Sequence, residues 1–334
     1  MNTEEIKKYT ADNISCQLCP RMCQVNRHTG TGYCLMPDRI KVARAALHMW
    51  EEPCISGEHG SGAIFFSGCT LRCVFCQNYK IAAAAVGKYI TVDGLADIML
   101  RLQDKHANNI NLVTPTHYAL HIAQALTKAR DNGLRIPVVY NTSAYENTET
   151  LKRLDGLVDV YLPDFKYMDS SLALKYSHAE DYPEVAKSAL NEMVRQAGSP
   201  CMYSDEDELV QSGYVEDGVM KRGVIVRHLV LPGCTKDSKA VIGYLYDTYK
   251  DDIYISIMNQ YTPLEHVKEY KELYRKVTHK EYDEVVDYAI DIGVTNGFIQ
   301  EGDTAKESFI PDFDFTGLTK NEIYRFVYDG LQYS

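Results

Sequence analysis

The chain has 334 residues, 45% hydrophobic and 24% charged, with a net charge of −11. That balance describes a soluble globular protein with material for one large domain or two, and no apolar run approaches the ~20 residues a membrane-spanning helix needs. Residues 1–60 balance seven basic against seven acidic side chains, so the acid excess lies on the remainder, where it repels a phosphate backbone and argues against nucleic acid as a partner.

Met1-Asn-Thr-Glu-Glu-Ile-Lys-Lys8 has no hydrophobic signal core, which predicts a cytoplasmic protein. Sulfur then dominates. Eight of the ten cysteines fall in the first 76 residues. A disulfide framework belongs to short secreted domains, so clustered thiols here point to metal. Cys16, Cys19 and Cys23 form CxxCxxxC, and Cys34 follows in Thr29-Gly-Thr-Gly-Tyr-Cys34. Four thiolates on two glycine-containing turns can enclose one centre, either a second iron–sulfur cluster or a structural zinc. Residues 1–60 are therefore expected to form a Cys-rich metal-binding appendage that needs its metal for order. Cys54 and His59 are nearby substitutes for a ligand, although single residues of this kind are more often simply packed.

Short apolar runs then alternate with helical patterns. Strands are expected at Ala63–Ser67, Asn111–Thr114, Ile136–Asn141, Val158–Leu162, Val224–Leu231 and Ile253–Met258, with a short one at Gly297–Gln300. Helices are expected at Thr91–Lys105 with Thr91 as N-cap, His117–Asn132 closed by Gly133, Pro183–Ala197 ending before Gly198, Ser238–Tyr249 and Tyr282–Ile292. Met202–Lys221 is acidic and aperiodic, a surface loop or hairpin. Buried, non-alternating strands between helices mean a parallel sheet. Six main units are too few for an eightfold barrel and fit a partial (βα)6 barrel or a doubly wound sheet, with ligands at the carboxyl ends of the strands.

The chemistry concentrates in Phe65-Phe-Ser-Gly-Cys69-Thr-Leu-Arg-Cys73-Val-Phe-Cys76-Gln-Asn-Tyr79, on the loop leaving the first of these strands. Tetrahedral zinc takes four protein ligands, or three and a water. Cys69, Cys73 and Cys76, with no His or fourth Cys close by, instead suit a [4Fe-4S] cluster with one iron left open. Buried turn thiols, or half of a zinc site, are the competing explanations.

This CxxxCxxC segment resembles the cluster motif of the radical S-adenosylmethionine (SAM) superfamily. The resemblance extends to proteins related to pyruvate formate-lyase activating enzyme, of the PflX type. Its carriers include Cys16-Gln-Leu-Cys19-Pro-Arg-Met-Cys23, His48-Met-Trp-Glu-Glu-Pro53, Phe66-Ser-Gly-Cys69, Val113-Thr-Pro-Thr-His-Tyr118, Pro163-Asp-Phe-Lys166, Glu192-Met-Val-Arg-Gln196, Val226-Arg-His-Leu-Val-Leu-Pro-Gly233 and Ser308-Phe-Ile-Pro-Asp-Phe313. It implies a radical SAM partial barrel over residues 61–315, between the 1–60 module and a 316–334 tail. It also implies a cluster that binds the SAM amino and carboxylate groups and cleaves SAM reductively to methionine and a 5′-deoxyadenosyl radical. Activation of a glycyl radical enzyme, with a flavodoxin or ferredoxin-type reductant, follows as the leading function. Radical modification of another peptide or a small molecule is the alternative, and a non-catalytic iron–sulfur or zinc electron-transfer protein is a third reading.

Phe75 matches the position that in the family lies beside the adenine, and Asn78 is placed with it among the SAM contacts. The activating enzymes carry Gly-Gly-Glu at the end of the second strand; here Thr114-Pro-Thr-His117 stands instead, so Thr114, Thr116 and His117 are expected to hold SAM. Strand ends add Asn141, Thr142, Ser143, Asp164, Lys166, Asn259 and Gln260. Either Arg227 or His228 points inward, and His228 is counted with the SAM contacts.

Overall fold

The computed structural model describes residues 15–300 and 311–319. Ten strands form one sheet: β1 (Lys41–His48), β2 (Ser61–Phe66), β3 (Lys88–Tyr89), β4 (Ile110–Val113), β5 (Val138–Thr142), β6 (Val160–Pro163), β7 (Cys201–Met202), β8 (Met220–Leu229), β9 (Tyr254–Met258) and β10 (Gly297–Ile299). Their order is β10-β9-β8-β6-β5-β4-β2-β1-β3, with β7 paired to β8 off that path. Every neighbouring pair from β2 to β10 along the path is parallel. All residues of β2, β4, β5 and β6 are buried, which is why their sequences run apolar without alternation. Among the described residues the two ends of the sheet do not pair, and the result is the expected open, partial (βα)6 barrel with a short seventh parallel strand.

The helices form where periodicity and caps agree. Thr91 accepts a hydrogen bond from the Gly94 N–H at the start of Val92–Asp104, which buries Leu95, Ile98, Met99 and Leu102. Ala119–Asp131 ends ahead of Gly133 (φ 99°), and Tyr182–Ala197 ends at Gly198. Thr235–Tyr249 and His279–Asp291 cover the last two helices. The 202–221 segment is a hairpin: β7 pairs antiparallel with β8.

Two expectations change. The boundary at residue 60 cuts through the sheet, because β1 pairs antiparallel with β2 from Val42↔Phe66 to His48↔Ser61. Residues 315 and 316, at the expected start of a tail, lie along β1: Phe315 N–H donates to Ala43 O and Ala45 N–H to Thr316 O. Residues 320–334 of that segment, and residues 1–14 and 301–310, lie outside the described residues.

Candidate active site

At the carboxyl end of β2 the chain turns through Gly68 (φ 89°), where a Cβ would stand 2.7 Å from the Cys34 carbonyl oxygen. Only glycine lets the loop turn this closely against the N-terminal segment. Beyond it, Cys69, Cys73 and Cys76 line a cavity of about 220 Å³ with Phe75, Asn78, Thr114, Asn141, Asp164, Lys166 and Arg227. These residues come from the ends of successive parallel strands, where ligands of such sheets collect. Phe75 meets Tyr167 and Tyr261 edge-on, with ring centroids 6.5 and 6.4 Å away.

Donors are already aimed at two of the sulfurs. The Leu71 and Arg72 N–H groups each donate to Cys69 Sγ at 3.4 Å, and Ser177 Oγ donates to Cys73 Sγ at 3.0 Å. Burial pushes the Cys73 and Cys76 thiols up, Cys69 and Cys73 add to the effect at Cys76, and Lys166 opposes it at both. Such thiols become thiolates when an electrophilic metal supplies positive charge. Among the described residues no three Cys, His, Asp or Glu side chains gather to hold a single ion. Three thiols around a cavity, with N–H and O–H donors facing sulfur, fit an iron–sulfur cluster, which spreads its thiolates more widely than one ion does.

The cavity floor is charged. The segment leading from β1 passes under the barrel, tied down where Asn108 and Asn109 donate to the Ser56 and Ile55 carbonyls. From it Glu51 projects upward. Arg227 joins three groups: Nη1 donates to Glu51 Oε2 (2.9 Å), Nε to Asp164 Oδ1 (2.8 Å) and Nη2 to Asn141 Oδ1 (2.8 Å). Lys166 Nζ donates to Asp164 Oδ2 (2.9 Å), and Asn111 Nδ2 to Glu51 Oε1 (3.1 Å). Burial pushes Glu51 and Glu52 up against the pull of Arg227. At Asp164 burial acts the same way, but Arg227 and Lys166 outweigh it and hold the carboxyl below its usual range.

Three of the expected SAM contacts do not line the cavity and bond within the fold instead. Thr116 and His117 lie in a 3₁₀ turn ahead of the Ala119–Asp131 helix. Thr116 Oγ1 donates to Glu146 Oε1 (2.6 Å), and His117 Nε2 bonds the Ser67 carbonyl (2.8 Å). Neither lines the cavity; of that stretch only Thr114, at φ 60°, does. His228 faces outward, with Nδ1 on Phe165 O and Nε2 on Ser238 Oγ, so both nitrogens of its ring are occupied, while Arg227 points into the cavity. Burial first, and Arg27 next, lower the His117 pKa to about 3, so it is a neutral core residue. The sequence reading missed Glu51 and Glu52 as site residues and left Arg227 undecided; adjacent acids between Trp50 and Pro53 were the available signal.

Glu146 was also missed. It is buried, accepts from Thr116 and Thr142, and burial pushes its carboxyl up to about 7 from an ordinary 4.5. A raised carboxyl must give up its proton as pH rises, so the wild-type chain loses stability through this group between those values. Glu146→Gln lacks that loss. Its stability relative to wild type should rise by about 3 kcal/mol between about pH 4 and about pH 8. Urea unfolding at the two pH values measures this, and a pH-independent difference contradicts it.

Cys16, Cys19, Cys23 and Cys34 lie together against the barrel. Gly32 has Cys23 Sγ and Cys34 Sγ within 3.3 and 3.4 Å of where its Cβ would be. Burial pushes Cys19 up to about 12. Arg27, itself buried, places its guanidinium on the carbonyls of Met36, His117 and Pro37; burial opposes its charge and the Cys34 and Cys16 sulfurs favour it. Cys54 and His59 do not join this group. Cys54 packs with Ile55, Val139 and Val160 inside the barrel, and His59 lies 3.4 Å from Glu216.

Residues 63–204 match the family model of the radical SAM superfamily. An uncharacterized protein of Methanocaldococcus jannaschii is 29% identical over 299 residues, covering 86% of this chain and 78% of that one. Among solved structures, methylornithine synthase aligns over 98% of this chain and 84% of its own, at 12% identity and a TM-score of 0.48. Streptococcus suis SuiB bound to S-adenosylmethionine aligns over 70% of this chain, at 13% identity and a TM-score of 0.46. The chain spans about half the length of SuiB, 48% of it. No helix among the described residues is long and apolar enough to cross a membrane.

Proposed function

We propose that this chain, whose residues 63–204 match the radical SAM superfamily model, is an enzyme that cleaves SAM at the Cys69–Cys76 loop and uses the radical on a peptide or protein substrate. The observation that carries the proposal is the convergence of Cys69, Cys73 and Cys76 with Asn141, Asp164, Lys166 and Arg227 on one cavity. Cys69, Cys73 and Cys76 would hold a cluster, which would supply the low-potential electron for reductive cleavage of the sulfonium. The chain's own residues do the rest. Asp164, kept ionised by Arg227 and Lys166, and Asn141 offer acceptors for the polar end of a ligand; Phe75 offers an aromatic face. A plain electron carrier has no use for such a cavity, which argues against the non-catalytic reading.

The substrate reading rests on the resemblance to glycyl radical enzyme activating proteins, and a flavodoxin or ferredoxin-type protein is the matching reductant. Thr114-Pro-Thr-His117, in place of Gly-Gly-Glu, favours a second reading, radical modification of another peptide or a small molecule. The two separate when the reduced, reconstituted chain is mixed anaerobically with SAM and a glycyl radical enzyme. A protein-borne glycyl radical in the electron paramagnetic resonance spectrum supports activation. SAM consumption without that signal supports the second reading.

Cys16, Cys19, Cys23 and Cys34 are proposed as a second, mainly structural site; of the two readings, iron–sulfur or zinc, the arrangement favours iron–sulfur, because these thiols too are not gathered around a single ion. Replacing all four should lower the metal content while sparing the cluster signal from the Cys69–Cys76 loop. It should also expose the chain to proteases before residue 60. Unchanged metal content contradicts this.

A further inference from the structure

The two cysteine-bearing loops meet at one side chain. Arg21 lies in Cys19-Pro-Arg-Met-Cys23, two residues from a cysteine on either side. Its Nε donates to the Thr70 carbonyl (2.8 Å) and its Nη2 to the Leu71 carbonyl (3.4 Å), both inside the Cys69–Cys76 loop. Nη2 also donates to Ser177 O (2.9 Å), and Nη1 to His178 O. Ser177 is the residue whose hydroxyl donates to Cys73 Sγ. The guanidinium stacks on the Tyr33 ring 4.1 Å from its centroid, next to Cys34, and Arg72 covers the same ring at 4.9 Å.

The peptide units are the informative part. Thr70 C=O and Leu71 N–H belong to one planar unit, and Leu71 C=O and Arg72 N–H to the next. In both, the oxygen accepts from Arg21 and the N–H donates to Cys69 Sγ. Two consecutive peptides are thus clamped between a cation and a sulfur. A cation on a carbonyl polarises the unit and strengthens its N–H as a donor, since linked hydrogen bonds reinforce one another. Hydrogen bonds to the sulfurs help set the potential of an iron–sulfur cluster.

We propose that Arg21 is a positioning residue through which the N-terminal cysteine loop tunes the catalytic cluster, by holding the two peptide units that donate to Cys69 Sγ. This rests on the reading of Cys69, Cys73 and Cys76 as cluster ligands. Met22 (φ 41°) and Gln24 (φ 54°) flank Cys23 in the left-handed region, a backbone that non-glycine residues keep only when their surroundings enforce it. Metal on Cys19 and Cys23 would enforce it and so fix Arg21.

The test uses the full chain, reconstituted anaerobically with iron and sulfide, with metal and sulfide analysis beside a redox titration followed by electron paramagnetic resonance. Arg21→Gln should keep the catalytic iron and shift that cluster's midpoint potential to more negative values, because weaker donors stabilise the reduced, more negative cluster less. Arg21→Lys keeps the cation without the fork and should give a smaller shift in the same direction; it carries the test if Arg21→Gln does not fold. Joint Cys16→Ser, Cys19→Ser, Cys23→Ser and Cys34→Ser replacement should shift the potential the same way, and add nothing in the Arg21→Gln background. An unchanged potential with full catalytic iron in the folded Arg21 variant overturns the proposal, as do additive shifts. A wild-type chain that takes up no cluster defeats the ligand assignment itself, a result that metal analysis identifies separately.

Discussion

Cys73→Ala should abolish formation of 5′-deoxyadenosine from SAM while the chain stays folded. Cys73 Sγ faces the cavity and receives the Ser177 hydroxyl at 3.0 Å, and with two thiolates left the remaining loop cannot hold the cluster in place. The fold survives because the barrel core beneath is built from β2, β4, β5 and β6, whose residues are all buried independently of that thiol. Product analysis under reducing anaerobic conditions and a melting curve read the two halves of the expectation. Turnover that persists in the variant removes Cys73 from the ligand set.

The second large effect is expected at Arg227. This guanidinium is largely buried and satisfies Glu51, Asp164 and Asn141 at once, with Glu52 Oε2 4.0 Å away. Arg227→Met leaves three carboxyls at the cavity floor with Lys166 as their remaining neighbouring cation. Removing one partner of a buried charge group costs about 3–5 kcal/mol, and urea unfolding near neutral pH should show a loss of that order. Its pH dependence has a definite sign. In the wild type Asp164 sits below its ordinary range, so its contribution is present above the unfolded value and fades in acid. Without Arg227, burial raises these carboxyls, so the variant should regain stability relative to wild type as pH falls. Adding Glu51→Gln to Arg227→Met should recover part of the loss. A variant as stable as wild type at neutral pH means that the floor charges are solvated and do not organise the cavity.

Much of this fold is legible in the sequence for local reasons. Short apolar runs such as Ile110–Val113, after Asn109, and Val138–Thr142, after Pro137, read as buried strands, and Thr91 and Gly133 mark helix ends by cap chemistry. β1 escapes notice because Lys41-Val-Ala-Arg-Ala-Ala-Leu-His48 is rich in alanine and interrupted by charge; its strand character comes from pairing with β2. The cysteine loop stands out in the sequence by its CxxxCxxC spacing, and the fold brings Cys69, Cys73 and Cys76 to one cavity. The rest of the site depends on partners far apart in sequence. Thr116 looks like a ligand contact until Glu146, thirty residues on, takes its hydroxyl. Arg227 and His228 are adjacent in a strand, and which one faces inward is fixed by the register of β8 against β9 and by Phe165 and Ser238 receiving the imidazole. Glu51 acquires its place only when the segment after β1 folds beneath the barrel.

SAM cleavage is tested most directly by product analysis on the wild-type chain, reconstituted with iron and sulfide, reduced anaerobically and given SAM. The expected products are 5′-deoxyadenosine and methionine in equal amounts, with none formed when the reductant is omitted. A chain that holds its full complement of cluster iron at Cys69, Cys73 and Cys76, yet leaves SAM intact under reduction, would contradict this expectation.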